Sequence, residues 1–556
     1  MKFNKSSIIA FALAILIFSP GQAYATPESE DQNDLSSEEI AAAIANGYIE
    51  TEGIEPGTVD CPTPLADNSY VFTTVGGSTR YETSSLQALS AFSSASTVIV
   101  AGGETFADSI AGSGLAGALN APVLLVGPTW LENSTKDALS KLSPNHIIIL
   151  GGTDVVSASV ENQLKGYAPQ VTRISGPSRF ETQQAIYNYG SQQGLWTGDT
   201  AIVSTAMSFA DALSVSPVAY ALKAPIVFVD SSGNLPSSQF ESIRQSGKSH
   251  FLILGGTDVV TSNVESLLNG IGSTKRLGGT TRYETSRAIN DYAVANYGFN
   301  WDGVAFSSGQ KPWDSLGGGA MQGSKRKLLA LLDNTGPKSS VSAPVSGKPS
   351  SMIYLGGRDV YPNSFKAQIA YSMGYPVTEI QGFRVYIDAG HGFESSGPGT
   401  GFDPGAIGSG YREVDLAQEL SDKVASVLRN QYGLDVYVNK SGWYKLRQAQ
   451  ASMLDCGALV SIHFNAGGGT GTESYVHSHN AATGSTRLQA SVHNKMVSAI
   501  GLTNRGTKNM QLAVLSGKVP ATLLEVAYID RASDISTYRS RIDAAASGIA
   551  DGIANA

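Results

Sequence analysis

The feature that most constrains this chain is a threefold internal repeat. RYET at Arg80, RFET at Arg179 and RYET at Arg282 open three segments with a period of roughly 100 residues. A second landmark follows in each: FAD at Phe106, FAD at Phe209 and WDS at Trp313. A third follows in the same order: GGTDVVS at Gly151, GGTDVVT at Gly255 and GGRDVYP at Gly356. Within a copy, short apolar runs ending in glycine (TVIVAGG, PVLLVG, HIIILGG) alternate with helical patterns such as FADSIAGSGLAGAL. Such runs suit buried parallel strands with helices as crossovers. The expectation is three compact α/β units over 80–178, 179–281 and 282–382, packed on one another.

At 556 residues the chain exceeds one core, and roughly three to five domains are expected. Lys2 and Lys5, the apolar run Ile8 to Phe18 and Ala23-Tyr24-Ala25 read as an export signal over 1–25, with Thr26 opening the mature chain. The apolar run is short for a membrane span, so a secreted product without a transmembrane anchor is expected. Residues 26–79 hold eleven acidic side chains and no Lys or Arg. Loss of the two signal lysines takes the net charge from −9 to −11, all of it carried by this arm. The folded remainder is balanced, and no nucleic-acid partner is expected. A helix is expected near Ser36 to Asn46. Cys61 and Cys456 lie far apart and form no disulfide framework; Cys456 reads as a buried free thiol.

The repeats contain only His146 and His250, so they read as a binding module whose avidity grows with each contact. Their Gly-Gly-Thr-Asp turns are not followed by Lys-Ser/Thr, and turn geometry accounts for them better than phosphate binding. The three sets of landmarks resemble the type 2 cell-wall-binding repeat. That resemblance implies Toprim-like α/β units in a pseudo-threefold assembly, holding the protein to an anionic polymer of a Gram-positive-type wall. Copy three departs from the pattern with WDS in place of FAD and with the basic run Lys325-Arg326-Lys327, which reads as either a polymer contact or a solvated face. Arg80, Arg179 and Arg282 are candidate polymer contacts; pairing with the Glu two residues on is the alternative.

From Gly382 the pattern changes. His391 ends the strand pattern FRVYIDAGHG, and Glu413 opens a helix whose Leu416, Leu420, Val424, Val427 and Leu428 form one stripe. His463 follows the buried-strand run Leu459-Val460-Ser461-Ile462, and Glu525 interrupts Leu523-Leu524-Glu525-Val526-Ala527. Two histidines and a carboxylate suffice to hold one Zn2+ with a fourth position open, and a further carboxylate can serve as base. Glu413 is read as either a metal ligand or a carboxylate at its helix N-terminus, and His463 as either a ligand or a satisfied core histidine. Glu525 in a buried apolar strand would need either a raised pKa or a partner. His477 and His479 read as exposed edge-strand residues, and His493 as a helix surface residue.

The motifs IDAGHG at Ile387, DPGAIG at Asp403, SIHFNA at Ser461 and PATLLEVAYI at Pro520 resemble the zinc-dependent N-acetylmuramoyl-L-alanine amidases of type 3. The resemblance covers about 383–556 and implies a C-terminal α/β zinc-amidase domain acting on peptidoglycan. It implies His391, Glu413 and His463 as ligands of one zinc and Glu525 as the catalytic acid/base. Departures are the ESSGPGTGF insertion, Val438-Asn439-Lys440 where a Thr-Arg pair is frequent, and Ile529-Asp530 where Ser-Asn is common. The leading expectation is a secreted autolysin anchored on the wall by three repeats. The alternatives are an adhesin or wall-structure protein with an inactive amidase-like domain, and a zinc peptidase of the stem peptide.

Overall fold

The computed structural model describes residues 35–45, 71–333, 349–357, 360–375 and 383–556. The export signal, Cys61 and most of the acidic arm lie outside the described residues.

Each copy is built on a four-stranded parallel sheet. In copy one the order is Val123–Val126, Thr97–Gly102, His146–Leu150, Gln170–Ile174. Copy two repeats it with Ile226–Val229, Thr200–Thr205, His250–Leu254 and Ser273–Leu277. Copy three uses Lys327–Leu332, Asn300–Ser308 and Ser351–Leu355. Its fourth strand is Val71–Val75, which pairs in parallel with Ser351–Leu355. A stretch that composition had grouped with the acidic arm therefore completes the sheet of the last copy. The segment just before copy one and the end of copy three are thus joined by backbone hydrogen bonds.

The landmarks meet where the copies meet. The Arg80 guanidinium lies 4.7 Å from the centre of the Trp313 ring of copy three. Arg179 lies over Phe106 of copy one at 5.6 Å, and Arg282 over Phe209 of copy two at 5.8 Å. Each arginine also donates to a backbone carbonyl: Gly103, Ala206 and Gly309 in turn. The contacts run one-to-three, two-to-one and three-to-two, the cyclic pattern that a pseudo-threefold assembly requires. The arginines do not pair with the Glu two residues on. Glu82 and Glu284 instead accept backbone N–H groups at their own helix starts, and Glu181 accepts from the Ser178 hydroxyl.

The central helices, Ser113–Ala118, Ala210–Leu222 and Gly318–Gly323, pack on one another without room for side chains. A Cβ on Gly117 would fall 1.9 Å from the Tyr220 carbonyl oxygen, and one on Gly323 2.7 Å from that of Pro217. The run Gly112-Ser113-Gly114-Leu115-Ala116-Gly117 has the Gly-x-Gly-x-x-Gly spacing of nucleotide sites. Here Gly114 and Gly117 face carbonyls of Ala224 and Tyr220, so that spacing serves helix packing. The Gly-Gly turns behave alike: a Cβ on Gly151 or Gly255, both at positive φ, would stand 2.8 Å from Asp108 or Asp211. Lys325 and Arg326 lie in an exposed turn and Lys327 opens the strand that follows, and each cation donates to an acceptor of copy one or copy three.

The C-terminal domain is a six-stranded sheet ordered Asp435–Asn439, Arg384–Ala389, Ala458–Asn465, Ala521–Tyr528, Thr472–His477, Asn504–Met510. The first four are mutually parallel, and Thr472–His477 runs antiparallel to Ala521–Tyr528. Helix Glu413–Tyr432 buries the expected stripe through Leu416, Leu420, Val424 and Leu428. Cys456 is a buried free thiol. Helix Asn363–Met373 of copy three is buried along almost its whole length, because the amidase-like domain covers its outer face. Asp455 accepts from the Asn363 N–H at 2.6 Å, Gln368 donates to the Lys518 carbonyl, and Arg487 donates to that of Tyr371. The expected arm helix is present as Ser37–Ala45, and Ala43 packs with Trp443 and Leu446.

Burial carries the Asp108 and Asp211 carboxyls from the ordinary 3.8 up to about 6, against the pull of Arg179 and Arg282. A folded value above the unfolded one means that the stability contributed is complete below about pH 4 and lost as pH rises through 6. Asp108→Asn and Asp211→Asn should therefore unfold later than wild type at pH 7.5, by up to about 3 kcal/mol each. Thermal unfolding across pH should show that difference vanishing near pH 4.

Candidate metal centre

Strand Arg384–Ala389 delivers His391 just beyond its C-terminal end. The turn holds His391 at φ 68°, a left-handed conformation costly for a residue with a Cβ. Glycine neighbours leave space for the rings: a Cβ on Gly390 would fall 2.4 Å from the His463 imidazole, and one on Gly405 2.6 Å from that of His391. Gly392–Phe393 pairs antiparallel with Phe402–Asp403, so the inserted Glu394-to-Gly401 stretch is the loop of a hairpin. This hairpin brings Asp403 back to His391, whose Nδ1 lies 2.8 Å from Asp403 Oδ2. The Ser395 hydroxyl donates to the same oxygen.

With Nδ1 so engaged, His391 turns Nε2 toward Glu413, 3.1 Å from Oε1. Nδ1 of His463 approaches the same oxygen at 3.1 Å. Glu413 is 3% exposed and does not cap its own helix. Its carboxylate accepts the N–H of Ala406 at 2.9 Å and that of Phe464 at 2.9 Å, from a loop and a strand of the same domain. Burial pushes the Glu413 carboxyl up, but His391 and His463 more than offset this and hold it well below the usual range. Burial likewise lowers His391, while Asp403 and Glu413 outweigh it and carry the imidazole up to about 11.

One donor atom from each of His391, Glu413 and His463 lies within 4.8 Å of the others. Two imidazole nitrogens and a carboxylate oxygen form a set suited to Zn2+. The carboxylate behind His391 is the kind of outer partner that fixes a ligand tautomer. The donor set, the orienting Asp403 and the glycine-cleared space around both rings fit a single zinc ion.

Parallel pairing sets His463 of Ala458–Asn465 in register with Glu525 of Ala521–Tyr528. Glu525 is buried beside the cluster without belonging to it. On its other side it faces Glu473 across an antiparallel pair. Glu473 binds Arg505 at 2.6 Å, along with Lys508, Asn465 and Tyr475. Behind His391, Asp388 forms a buried ion pair with Arg447 at 2.7 Å and accepts from Ser461. Sequence reasoning left Asp388, Asp403 and Glu473 unassigned. Asp388 was legible as a charge interrupting an apolar strand; the others needed the fold to show what they face.

Three expectations about the remaining histidines change. His477 ends Thr472–His477, an internal strand, and is part-buried, whereas His479 is exposed as expected but lies in the turn after that strand. His477 Nδ1 accepts N–H groups of the following turn, and neither histidine joins the cluster. His493 is buried, held between Ser474 and Asn504.

Comparison with known proteins agrees with this geometry. Residues 385–555 match the family described as N-acetylmuramoyl-L-alanine amidase. Residues 74–161, 173–265 and 276–366 match cell wall binding domain 2. N-acetylmuramoyl-L-alanine amidase LytC of Bacillus subtilis (strain 168) is 29% identical over 500 residues, 88% of this chain and 95% of that protein. A sporulation-specific N-acetylmuramoyl-L-alanine amidase of the same organism is 32% identical over 181 residues, 31% of this chain and 68% of the relative. Cwp6 from Clostridium difficile shares the fold at a TM-score of 0.51 and 23% identity, covering 90% of this chain and 81% of that one. The chain belongs to the N-acetylmuramoyl-L-alanine amidase family and carries three copies of cell wall binding domain 2.

Proposed function

We propose that this chain is an exported autolysin that hydrolyses the amide between MurNAc and L-alanine, using one zinc ion, while its repeats hold it on an anionic wall polymer. The observation that carries the reading is the convergence of His391, Glu413 and His463 within 4.8 Å, with Glu525 in register with His463 on the next strand. Zn2+, when bound by these three side chains, supplies Lewis acidity at the reacting carbonyl.

The chain's own residues do the rest. Asp403 keeps the proton of His391 on Nδ1 and leaves Nε2 for the metal. Two backbone N–H groups hold Glu413 in place, so the donor set is assembled before substrate arrives. Glu525 takes the proton of the attacking water and returns it to the departing L-alanine amine. Phe393 and Phe402, exposed and in edge contact at 5.2 Å, form an apolar rim on the hairpin that bears Asp403. The intact set weighs against an inactive scaffold. Arg80, Arg179 and Arg282 keep guanidinium N–H groups beyond the one engaged by a carbonyl, and these are assigned to polymer contacts at the copy junctions.

His463→Ala should lose zinc and hydrolysis together; undiminished zinc by elemental analysis would mean the ligand was named wrongly. Glu525→Gln should keep zinc, fold and wall binding while release of L-alanine amino termini falls by roughly two to four orders of magnitude. Near wild-type release would place the base elsewhere. Deleting one copy should weaken retention on purified walls by much more than a third, and equal retention on walls stripped of anionic polymer would sink the polymer assignment.

A further inference from the structure

The three copy junctions are built alike but lined differently. Between copies one and three lies a cleft of about 700 Å³, within the roughly 300–1,000 Å³ of ligand pockets. Copy one contributes Arg80, Tyr81, Glu104 and Trp130, and copy three contributes Lys311 and Trp313. Trp130 is 43% exposed, and its ring meets that of Tyr81 edge-on at 5.9 Å. Tyr81 donates to Glu104 at 3.2 Å, and Trp130 donates to Glu132 at 3.2 Å.

Among the described residues, the other junctions lack this lining. The turn Gly103-Glu104-Thr105-Phe106 faces Arg179 and the turn Ala206-Met207-Ser208-Phe209 faces Arg282; neither holds a cation or an indole. Copy three alone has Gln310-Lys311-Pro312-Trp313 there. After its second strand copy one carries Pro128-Thr129-Trp130, where copy two has Asp230-Ser231-Ser232-Gly233. Among the described residues the cleft therefore combines a large exposed ring with charges of both signs, Arg80 and Lys311 beside Glu104 and Asp314.

We infer that this cleft, and not the other two junctions, is a saccharide-binding subsite that takes a short segment of a wall glycan. A pyranose presents one apolar C–H face and a ring of hydroxyls. Trp130 offers the first an aromatic surface with a polar edge. Glu104, Gln310 and Lys311 offer the hydroxyls both donors and acceptors. The inference rests on the wall-binding reading and adds where, and by which residues, the sugar is read.

The test uses the full chain and two soluble probes in calorimetric titrations: polymer released from purified walls by mild acid, and peptide-free glycan strands. Trp130→Ala and Lys311→Ala replace exposed side chains, and unchanged thermal unfolding would verify that both fold. Each should weaken binding of one probe by roughly tenfold, and the probe affected identifies the source of the sugar. Met207→Ala, at another junction, should bind as wild type does. Wild-type binding with no loss in either cleft variant, or an equal loss in Met207→Ala, overturns the subsite and leaves the wall-binding reading standing. A wild-type chain that binds neither probe overturns both.

Discussion

Much of the catalytic half depends on one buried carboxylate. Glu413 is 3% exposed, and a charge so placed is costly unless paired and hydrogen-bonded. It is met by two backbone N–H groups and two imidazoles that come from a loop, a strand and a strand-end turn. The electrostatic demand of this one side chain draws those pieces together. Removing any of them leaves a buried charge undercompensated, typically at several kcal/mol. Preassembly of the donor set follows from that penalty.

The sheet supplies the other half of the geometry. Parallel strands that end together place functional groups at one edge, and here His391, His463 and Glu525 all sit toward the C-terminal ends of neighbouring parallel strands. Glu473, with its two cations, keeps the antiparallel side of that edge from being a bare negative patch facing Glu525. The hairpin inserted after His391 adds Asp403 at its base and an exposed aromatic rim, so it builds onto the site without displacing a donor.

In the repeats the governing constraint is closure. Three units with glycine-lined central helices approach closely only if each presents backbone where its neighbour does. Arginine–aromatic contacts then stitch the ring, and Val71–Val75 closes it by joining the last sheet. Between copies one and three the same geometry leaves a cleft. The buried Asn363–Met373 helix of copy three carries the ring onto the amidase domain.

Periodicity by itself determined the number of copies, their α/β class and the helix stripe from Leu416 to Leu428, and it singled out His391, Glu413, His463 and Glu525 as polar residues in apolar settings, while the resemblance of their motifs supplied the roles proposed for them. These are legible because hydrophobic period and isolated charge in apolar strands are local properties of the chain. The direction of Arg80, Arg179 and Arg282, the burial of His493 and the internal position of Thr472–His477 were decided by the tertiary structure alone. So were Asp403 behind His391 and the transfer of Val71–Val75 to a sheet whose nearest partner strand begins at Ser351. Each depends on what a residue meets across a long stretch of chain, and a local pattern carries no record of its distant neighbour.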